Sequence, residues 1–227
     1  MIQKTAIVFG ATGLTGKFLV QELINNDQYI KVKIINRTLQ NYSNPKIEEI
    51  KIDYNNLAEY ANEFKATNVF CCIGTTIKKA GSKEKFFAID HDLPVEIANI
   101  CSNNKCESFI AISSIGASDK SSNNYLKTKG LMETDILKLN FDFIAFVRPS
   151  MLLGPREEAR FGEITGKIIM NLFGFLLFGK LKKYKAIHVK EVARAMINIA
   201  NQSKVYSKNE KNVFESNELV KINKEQL

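Results

Sequence analysis

Short apolar runs alternate with segments of helical periodicity along most of the chain. Residues 5–9 (TAIVF) form a continuous apolar, β-branched run, as a parallel strand that is buried on both faces does. Further runs of this kind predict strands at 30–35, 47–52, 69–73, 109–113 and 143–147. Apolar residues at helical spacing predict helices at about 14–25, 57–64, 92–104 and 125–138.

This alternation continues to residue 148 and indicates a parallel sheet with helices on both faces. We therefore predict an α/β fold, a Rossmann-type doubly wound parallel sheet. A single domain would span residues 1–227, with its core in residues 1–149. Residues 150–227 are less regular, and we expect them to form a small C-terminal lobe that shapes a substrate pocket over the carboxyl ends of the strands.

The composition excludes several other classes of protein. The chain has 227 residues, 45% hydrophobic and 25% charged, which is ordinary for a globular protein. The net charge of +8 is spread along the chain apart from a cluster at 179–185, so we expect no nucleic-acid partner. The four cysteines match no metal-ligand spacing, and we expect no metal. With no targeting signal before the first strand and no long apolar run, we expect a cytoplasmic location. Oligomeric state stays open, with a homodimer as one alternative.

The segment GATGLTG at 10–16 follows the first predicted strand and opens the first predicted helix. Its glycines fit three needs of a nucleotide site: a sharp turn, close approach of the backbone to a phosphate, and close packing of helix on strand. The helix N-terminus adds N–H groups and a partial positive charge. The predicted cofactor-binding residues here are Gly10, Thr12, Gly13, Leu14, Thr15 and Gly16. The alternative is a tight turn without a ligand.

The GxxGxxG spacing, in this alternation of strands and helices, resembles the extended or atypical branch of the short-chain dehydrogenase/reductase superfamily. The second predicted strand ends in Asn36-Arg37, with no acidic residue where a ribose 2′-hydroxyl is usually held. The Arg37 guanidinium fits a 2′-phosphate in fork geometry, which favours NADP (NADPH) over NAD as the cofactor. The alternative is a solvated surface arginine.

Two further strand ends fit the adenosine side of the same cofactor. The resemblance to the reductases implies that Asp53 contacts the adenine amino group, with a helix N-cap as the alternative role for this residue. Gly74 follows the fourth predicted strand and allows the backbone to approach the cofactor, and Thr75 comes directly after it.

A candidate acid–base centre follows the fifth predicted strand. Tyr125 and Lys129 are four residues apart and share one face of a helix. The Lys129 ammonium would lower the pKa of the tyrosine and bind the nicotinamide ribose, and Tyr125 would pass a proton to a carbonyl oxygen. Ser114 would hold that oxygen, with Ser113 as the alternative because strand neighbours point to opposite faces. The alternative for Tyr125 and Lys129 is an ordinary helix surface.

The end of the sixth predicted strand carries another reductase-like pattern. Arg148-Pro149-Ser150 and the GPR at 154–156 resemble extended short-chain reductases, and in that resemblance the backbone near Ser150 meets the nicotinamide amide. The segment IHVKEVA at 187–193 resembles the same branch, where it shapes the pocket.

Longer strings point to a narrower resemblance. Residues 71–81 (CCIGTTIKKAG), 113–122 (SSIGASDKSS), 125–130 (YLKTKG) and 146–149 (FVRP) are similar to the family of the Tat-interacting protein of 30 kDa, atypical members of the short-chain reductase superfamily. The resemblance implies NADPH binding, and with the acid–base residues above we expect an oxidoreductase that transfers a hydride to or from a carbonyl or alcohol of a small-molecule substrate. It also implies an alternative, a regulatory protein that binds NADPH with little turnover.

The segment 161–186 contains an apolar stretch that is broken by Gly174 and Gly179 and flanked by lysines. We interpret it as a lid over the substrate pocket or as a buried helix. The alternative is a weak contact with a membrane surface, or an apolar substrate pocket.

Overall fold

The computed structural model describes residues 3–155, 179–203 and 212–225. The strands are β1 (Lys4–Phe9), β2 (Tyr29–Asn36), β3 (Ile47–Lys51), β4 (Asn68–Cys71), β5 (Ser108–Ile112), β6 (Phe143–Arg148), β7 (Leu152–Leu153), β8 (Ile187–His188) and β9 (Asn212–Glu215). The α-helices are α1 (Leu14–Ile24), α2 (Ile77–Ala80), α3 (Lys83–Phe87), α4 (Leu93–Asn103), α5 (Asn124–Ile136), α6 (Val189–Asn201) and α7 (Ser216–Lys224). Two 3₁₀ segments, Leu57–Glu63 and Gly179–Tyr184, and a π-helical turn, Ala88–Asp92, complete the described part.

The main sheet has seven strands in the order β3-β2-β1-β4-β5-β6-β9, and every pair in it is parallel. The chain leaves β1 toward β2 on one side and later returns to β4 on the other side. This reversal at β1 creates a crevice at the carboxyl ends of the strands, where ligands bind in such sheets. The predicted Rossmann-type doubly wound sheet is confirmed.

Successive residues of β1 enter two different hydrophobic cores. Ala6 and Val8 pack in the core that includes side chains of α1, α6 and α7. Ile7 and Phe9 pack in the core that includes side chains of the first 3₁₀ segment, α4 and α5. All four are fully buried, because side chains alternate across a strand and this sheet is covered on both faces.

Several elements differ from the sequence-based prediction, and three of them bear on the sheet and the cleft. The predicted helix at 57–64 is a 3₁₀ segment. The predicted helix at 92–104 is the last part of a longer helical run that begins at Lys83, where Ser82 accepts a hydrogen bond from the Lys85 amide. Strand β9 was not predicted, and it extends the main sheet beside β6.

The described residues after 150 contribute to the main body of the fold. Strand β9 joins the main sheet, and α6 and α7 supply side chains to one of its two cores. The short parallel pair β7 and β8 forms a separate two-stranded sheet. Most of the predicted lid or membrane-contact segment, residues 161–178, lies outside the described residues.

Candidate functional site

A cleft of about 580 Å³ opens at the carboxyl ends of β1, β2 and β4, at the crevice of the sheet. It is lined by Gly10, Thr12, Gly13, Asn36, Arg37, Asp53, Tyr54, Asn55, Cys72, Ile73, Gly74, Thr75, Ala88, Ile89, Asp92, Leu93 and Glu96. Seven of the residues predicted to bind a cofactor are among them, so the structure gathers segments that lie far apart in sequence. Leu14, Thr15, Gly16, Lys129 and Ser150 do not line this cleft.

Gly10 and Gly16 of the GATGLTG segment occupy positions that leave no room for a Cβ atom. Gly10 has φ = +77°, and a Cβ there would lie 2.7 Å from the backbone carbon of Cys72. At Gly16 a Cβ would lie 2.1 Å from the carbonyl oxygen of Gly10. Gly10 therefore makes the turn beside β4, and Gly16 brings α1 close to that turn.

The N-terminus of α1 faces this cleft without a competing side chain. Its N-cap is Gly13, which makes no side-chain cap hydrogen bond, and the first turn contains no acidic residue. The first N–H groups of a helix have no partner within the helix and attract an anion. These features fit the pyrophosphate of a dinucleotide.

At the end of β2, Arg37 is exposed and lines the cleft, and its guanidinium makes no hydrogen bond or ion pair with another described residue. Asn36 beside it is 5% exposed, and its Nδ2 atom has no hydrogen-bond partner in the described part of the chain. The Tyr54 hydroxyl donates to the Ile35 carbonyl at 3.0 Å. Burial raises the pKa of Tyr54, and the Arg37 guanidinium nearby opposes that effect.

Asp53 lines the cleft and also holds the turn that follows β3. Its Oδ1 accepts hydrogen bonds at 2.9 Å from the backbone and the side-chain nitrogen of Asn55, and its Oδ2 accepts one from Asn56 at 3.3 Å. The N-cap of the following 3₁₀ segment is Asn56, not Asp53. The carboxylate is therefore fixed in place at the rim of the cleft.

The predicted acid–base residues lie after β5 and on α5. Tyr125 is half-buried, and its ring packs on that of Phe86 with centroids 5.6 Å apart. The Ser114 hydroxyl donates to the Ile115 carbonyl at 3.4 Å. The Ser113 hydroxyl is buried and has no hydrogen-bond partner among the described residues. The choice between the two serines stays open.

Lys129 lies in the interior beside a residue that sequence reasoning missed. Its side chain is 3% exposed, and its Nζ atom lies 2.8 Å from Oδ1 of Asp90, which is 1% exposed. The two atoms form an ion pair without the directional geometry of a hydrogen bond. Burial lowers the pKa of Lys129, but the Asp90 carboxylate and the nearby Tyr125 raise it, and the balance lies above the usual value.

Ser150 follows β6 and is held by residues from the C-terminal part of the chain. Its amide donates to the Ser216 hydroxyl at 2.9 Å, and its own hydroxyl donates to the Lys185 carbonyl. Leu14 lies near Gly154, where an added Cβ would be 3.3 Å from the leucine side chain. Neither residue lines the described cleft.

The four cysteines are free thiols, and the described residues contain no group of three or more His, Cys, Asp or Glu side chains that could hold a metal. Burial raises the pKa of Cys71 to about 11 and that of Cys72 well above its usual value. Among the described helices, none is long and apolar enough to cross a membrane.

The sequence pattern of the NAD(P)H-binding family matches residues 10–203. The chain belongs to this family. Membership in an NAD(P)-binding, oxidoreductase-like family agrees with the glycine turn, the helix N-terminus that follows it and the cleft that the turn lines.

Two relatives extend this assignment. Protein HTATIP2 of Rattus norvegicus is 35% identical over 202 residues, which cover 87% of this chain and 81% of that protein. Protein FMP52, mitochondrial, of Saccharomyces cerevisiae is 32% identical over 165 residues, which cover 71% of each chain. The first match confirms the resemblance to the Tat-interacting protein family. The name of the second contradicts the predicted cytoplasmic location, which is withdrawn.

Solved structures of this NAD(P)-binding fold superpose on almost the whole chain. MoeE5 in complex with UDP-glucose and NAD has a TM-score of 0.68 at 18% identity, covering 98% of this chain and 81% of that one. A putative NAD-dependent epimerase/dehydratase from Bacillus halodurans has a TM-score of 0.68 at 17% identity, covering 99% of this chain and 100% of that one. At these identities the likeness establishes the fold.

Proposed function

We propose that this chain is an NADPH-dependent oxidoreductase of the short-chain class, acting on a carbonyl or alcohol of a small molecule. One observation carries the choice of cofactor. Arg37 lines the cleft at the end of β2 without an ion-pair partner among the described residues, and the residue before it is Asn36. A guanidinium with free donors fits a 2′-phosphate, whereas a carboxylate at this strand end would fit a free 2′-hydroxyl.

The remaining cofactor contacts follow from the cleft. The N-terminus of α1 would bind the pyrophosphate through its free N–H groups, with Gly13 leaving room for close approach. The Asp53 carboxylate, fixed by Asn55, would accept from the adenine amino group. Gly74 and Thr75 would lie along the adenosine side.

When bound, NADPH supplies a hydride to a carbonyl carbon, and the chain must supply a proton to the carbonyl oxygen. The Tyr125 phenol would donate that proton. Lys129, one helical turn away, would stabilise the phenolate that remains. The hydroxyl of Ser114 or Ser113 would hold the oxygen as negative charge develops on it.

The cofactor assignment is tested by titrating the full chain with NADPH and with NADH and following nucleotide fluorescence. In the Arg37→Ala variant we expect NADPH binding to weaken by about 1.5–3 kcal/mol, the range for a hydrogen bond to a charged group. NADH binding should stay unchanged, because it has no 2′-phosphate. Arg194→Ala is the matched control, since Arg194 is an exposed arginine on α6 that pairs with Glu22. Equal losses for both nucleotides, or no binding of either, would overturn the assignment.

Turnover is tested separately with a panel of aldehydes and ketones. Tyr125→Phe removes the proton donor and keeps the ring that packs on Phe86. We expect kcat to fall by about 10²–10⁴-fold, with NADPH affinity preserved. A variant that turns over substrate as fast as the wild type would exclude Tyr125 as the acid.

A second candidate function is a regulatory protein that binds NADPH with little turnover. It is favoured by the state of the acid–base residues: the Ser114 hydroxyl donates to its own chain, and Lys129 is paired with Asp90. Hydrogen exchange measured with and without NADPH tests this candidate. A regulator requires slowed exchange at a surface outside the cleft, and an unchanged exchange pattern there would exclude it.

A further inference from the structure

The buried pair formed by Asp90 and Lys129 lies directly beneath the cofactor cleft. The second carboxylate oxygen of Asp90, Oδ2, accepts a hydrogen bond from the Thr75 amide at 2.8 Å. A Cβ added to Gly74 would lie 3.3 Å from Asp90 Oδ1 and 3.7 Å from Lys129 Nζ. Gly74 and Thr75 both line the cleft, so the ion pair lies against backbone that borders the cleft.

The helical run that carries Asp90 is widened at this residue. Ala88–Asp92 is a π-helical turn between α3 and α4. Two residues beyond the turn comes Pro94, which has no N–H to donate to the Asp90 carbonyl four residues earlier, and whose ring would crowd that carbonyl in a regular helix. The π-turn includes Asp90, the residue whose carbonyl Pro94 leaves without a helical N–H donor. Such turns occur frequently at functional sites.

A second contact fixes the π-turn against α5. The ring nitrogens of His91 lie 2.8 Å from Asp92 Oδ1 and 3.0 Å from Asp135 Oδ2. Asp135 lies on α5, the helix that carries Lys129. The π-turn therefore contacts α5 through two adjacent residues, the fully buried Asp90 and the largely buried His91, whose side chain is 12% exposed.

A buried ammonium needs a compensating charge, because an isolated charge in the protein interior is very costly. The titratable groups that face Lys129 are Asp90 from the π-turn, Tyr125 from its own helix and Cys71 from β4. Asp90 is the acidic group among them and the one in ion-pair contact. Without it, burial would favour the neutral amine.

We propose that Asp90 is the positioning residue of this site: its carboxylate keeps the Lys129 ammonium ionised and fixed beneath Gly74, and joins it to the Thr75 amide at the edge of the cleft. The placement and ionisation of Lys129 do not depend on the proposed function. The stabilisation of the Tyr125 phenolate by Lys129 after proton transfer rests on the proposed function.

The test measures the ionisation of Lys129 in the full chain, by NMR of lysine labelled with ¹³C at Cε. Lys129→Met identifies the signal. In the wild type we expect this signal to stay in the charged form to above about pH 10, and in Asp90→Asn to titrate at least about two pH units lower. Glu107→Gln, an exposed carboxylate at the opposite end of β5, is the matched control and should leave the signal unchanged. An Asp90→Asn signal that titrates as in the wild type would overturn the proposal.

A second measurement covers the case in which Asp90→Asn does not fold. Thermal melting is compared for Asp90→Asn, Lys129→Met and the double variant. Each single substitution leaves one partner of the buried pair uncompensated, so the double variant should melt at a higher temperature than Asp90→Asn. Strictly additive losses would overturn the proposal. Asp90→Glu, which keeps the charge, should restore the wild-type titration of Lys129.

The two proposals fail in different ways. If Lys129 titrates lower in Asp90→Asn but the wild type binds no nucleotide, the proposed function fails and the role of Asp90 stands. If the wild type binds NADPH and the titration of Lys129 does not move, the role of Asp90 fails alone.

Discussion

The Arg148 guanidinium donates two hydrogen bonds to the fully buried Glu133 carboxylate, from Nε to Oε1 at 2.8 Å and from Nη2 to Oε2. Glu133 lies on α5, and Arg148 ends β6. The pair therefore joins the helix that carries Tyr125 and Lys129 to the strand that leads to Ser150. The hydrogen bonds that Arg148 makes to Glu133 raise the pKa of its guanidinium.

Glu133→Gln should destabilise the fold. It leaves the Arg148 guanidinium, whose side chain is only 14% exposed, without its counter-charge. Breaking a buried pair from one side costs about 3–5 kcal/mol. Urea unfolding measures the loss, and the exposed carboxylate variant Glu107→Gln should stay within about 0.5 kcal/mol of the wild type. A Glu133→Gln variant as stable as that control would show that the pair contributes nothing.

Substitution of Gly16 by alanine should disturb the fold more than substitution of Gly13. The new Cβ would lie 2.1 Å from the Gly10 carbonyl oxygen in the first case and 3.2 Å from it in the second. Overpacking of this kind costs about 1–3 kcal/mol, and more where backbone must move. Gly13→Ala should keep most of its stability but bind NADPH more weakly, because its methyl group enters the cleft. Equal unfolding midpoints for the two variants would contradict this ranking.

The sheet could be predicted because its central strands are buried on both faces and appear as continuous apolar runs. Strand β9 could not be predicted from the sequence. It has four residues, begins with Asn212 and ends with Glu215, and only Phe214 is buried in it. Its position beside β6 is set by tertiary packing and not by a local pattern.

The cleft could be predicted because each of its segments follows a strand, and parallel strands end at one edge of a sheet. Asp90 could not be predicted. An aspartate in a helical segment is typical of a solvent-facing position, and the π-turn breaks the 3.6-residue period by which a buried position would be recognised. Lys129 was predicted to face the cofactor. Its ion-pair partner Asp90 lies 39 residues earlier in the sequence, and no local sequence spacing predicts a contact between them.

Tyr29→Phe should destabilise the core through a lost hydrogen bond. The Tyr29 hydroxyl donates to Asn68 Oδ1 at 2.9 Å, and Asn68 Nδ2 donates to the Ser108 hydroxyl at 2.6 Å. Removing the first donor should cost about 1–2 kcal/mol in urea unfolding. Tyr60→Phe, at a half-buried tyrosine on the first 3₁₀ segment, is the matched control and should cost less. If both variants unfold at the same urea concentration, the hydrogen-bond chain adds no stability.

The buried Cys71 thiol should make stability fall with rising pH in a defined window. Burial raises its pKa from 9.0 to about 11 in the folded chain. Below pH 9 the thiol is neutral in both the folded and the unfolded chain, so its ionisation takes nothing from the free energy of unfolding. Between pH 9 and 11 the unfolded chain ionises first, so stability is progressively lost, by up to about 3 kcal/mol.

The difference between the wild type and Cys71→Ala reports this contribution, together with the smaller effect of the Cys71 thiolate on the nearby groups Tyr54, Cys72, Cys101 and Lys129. Urea unfolding at pH 8 and pH 10.5 should show a smaller fall in the variant, which lacks the ionising thiol. A fall of equal size in both proteins would place the ionisation of Cys71 at the same pH in the folded and unfolded states. Its burial against β1 and β5 would then carry no electrostatic cost.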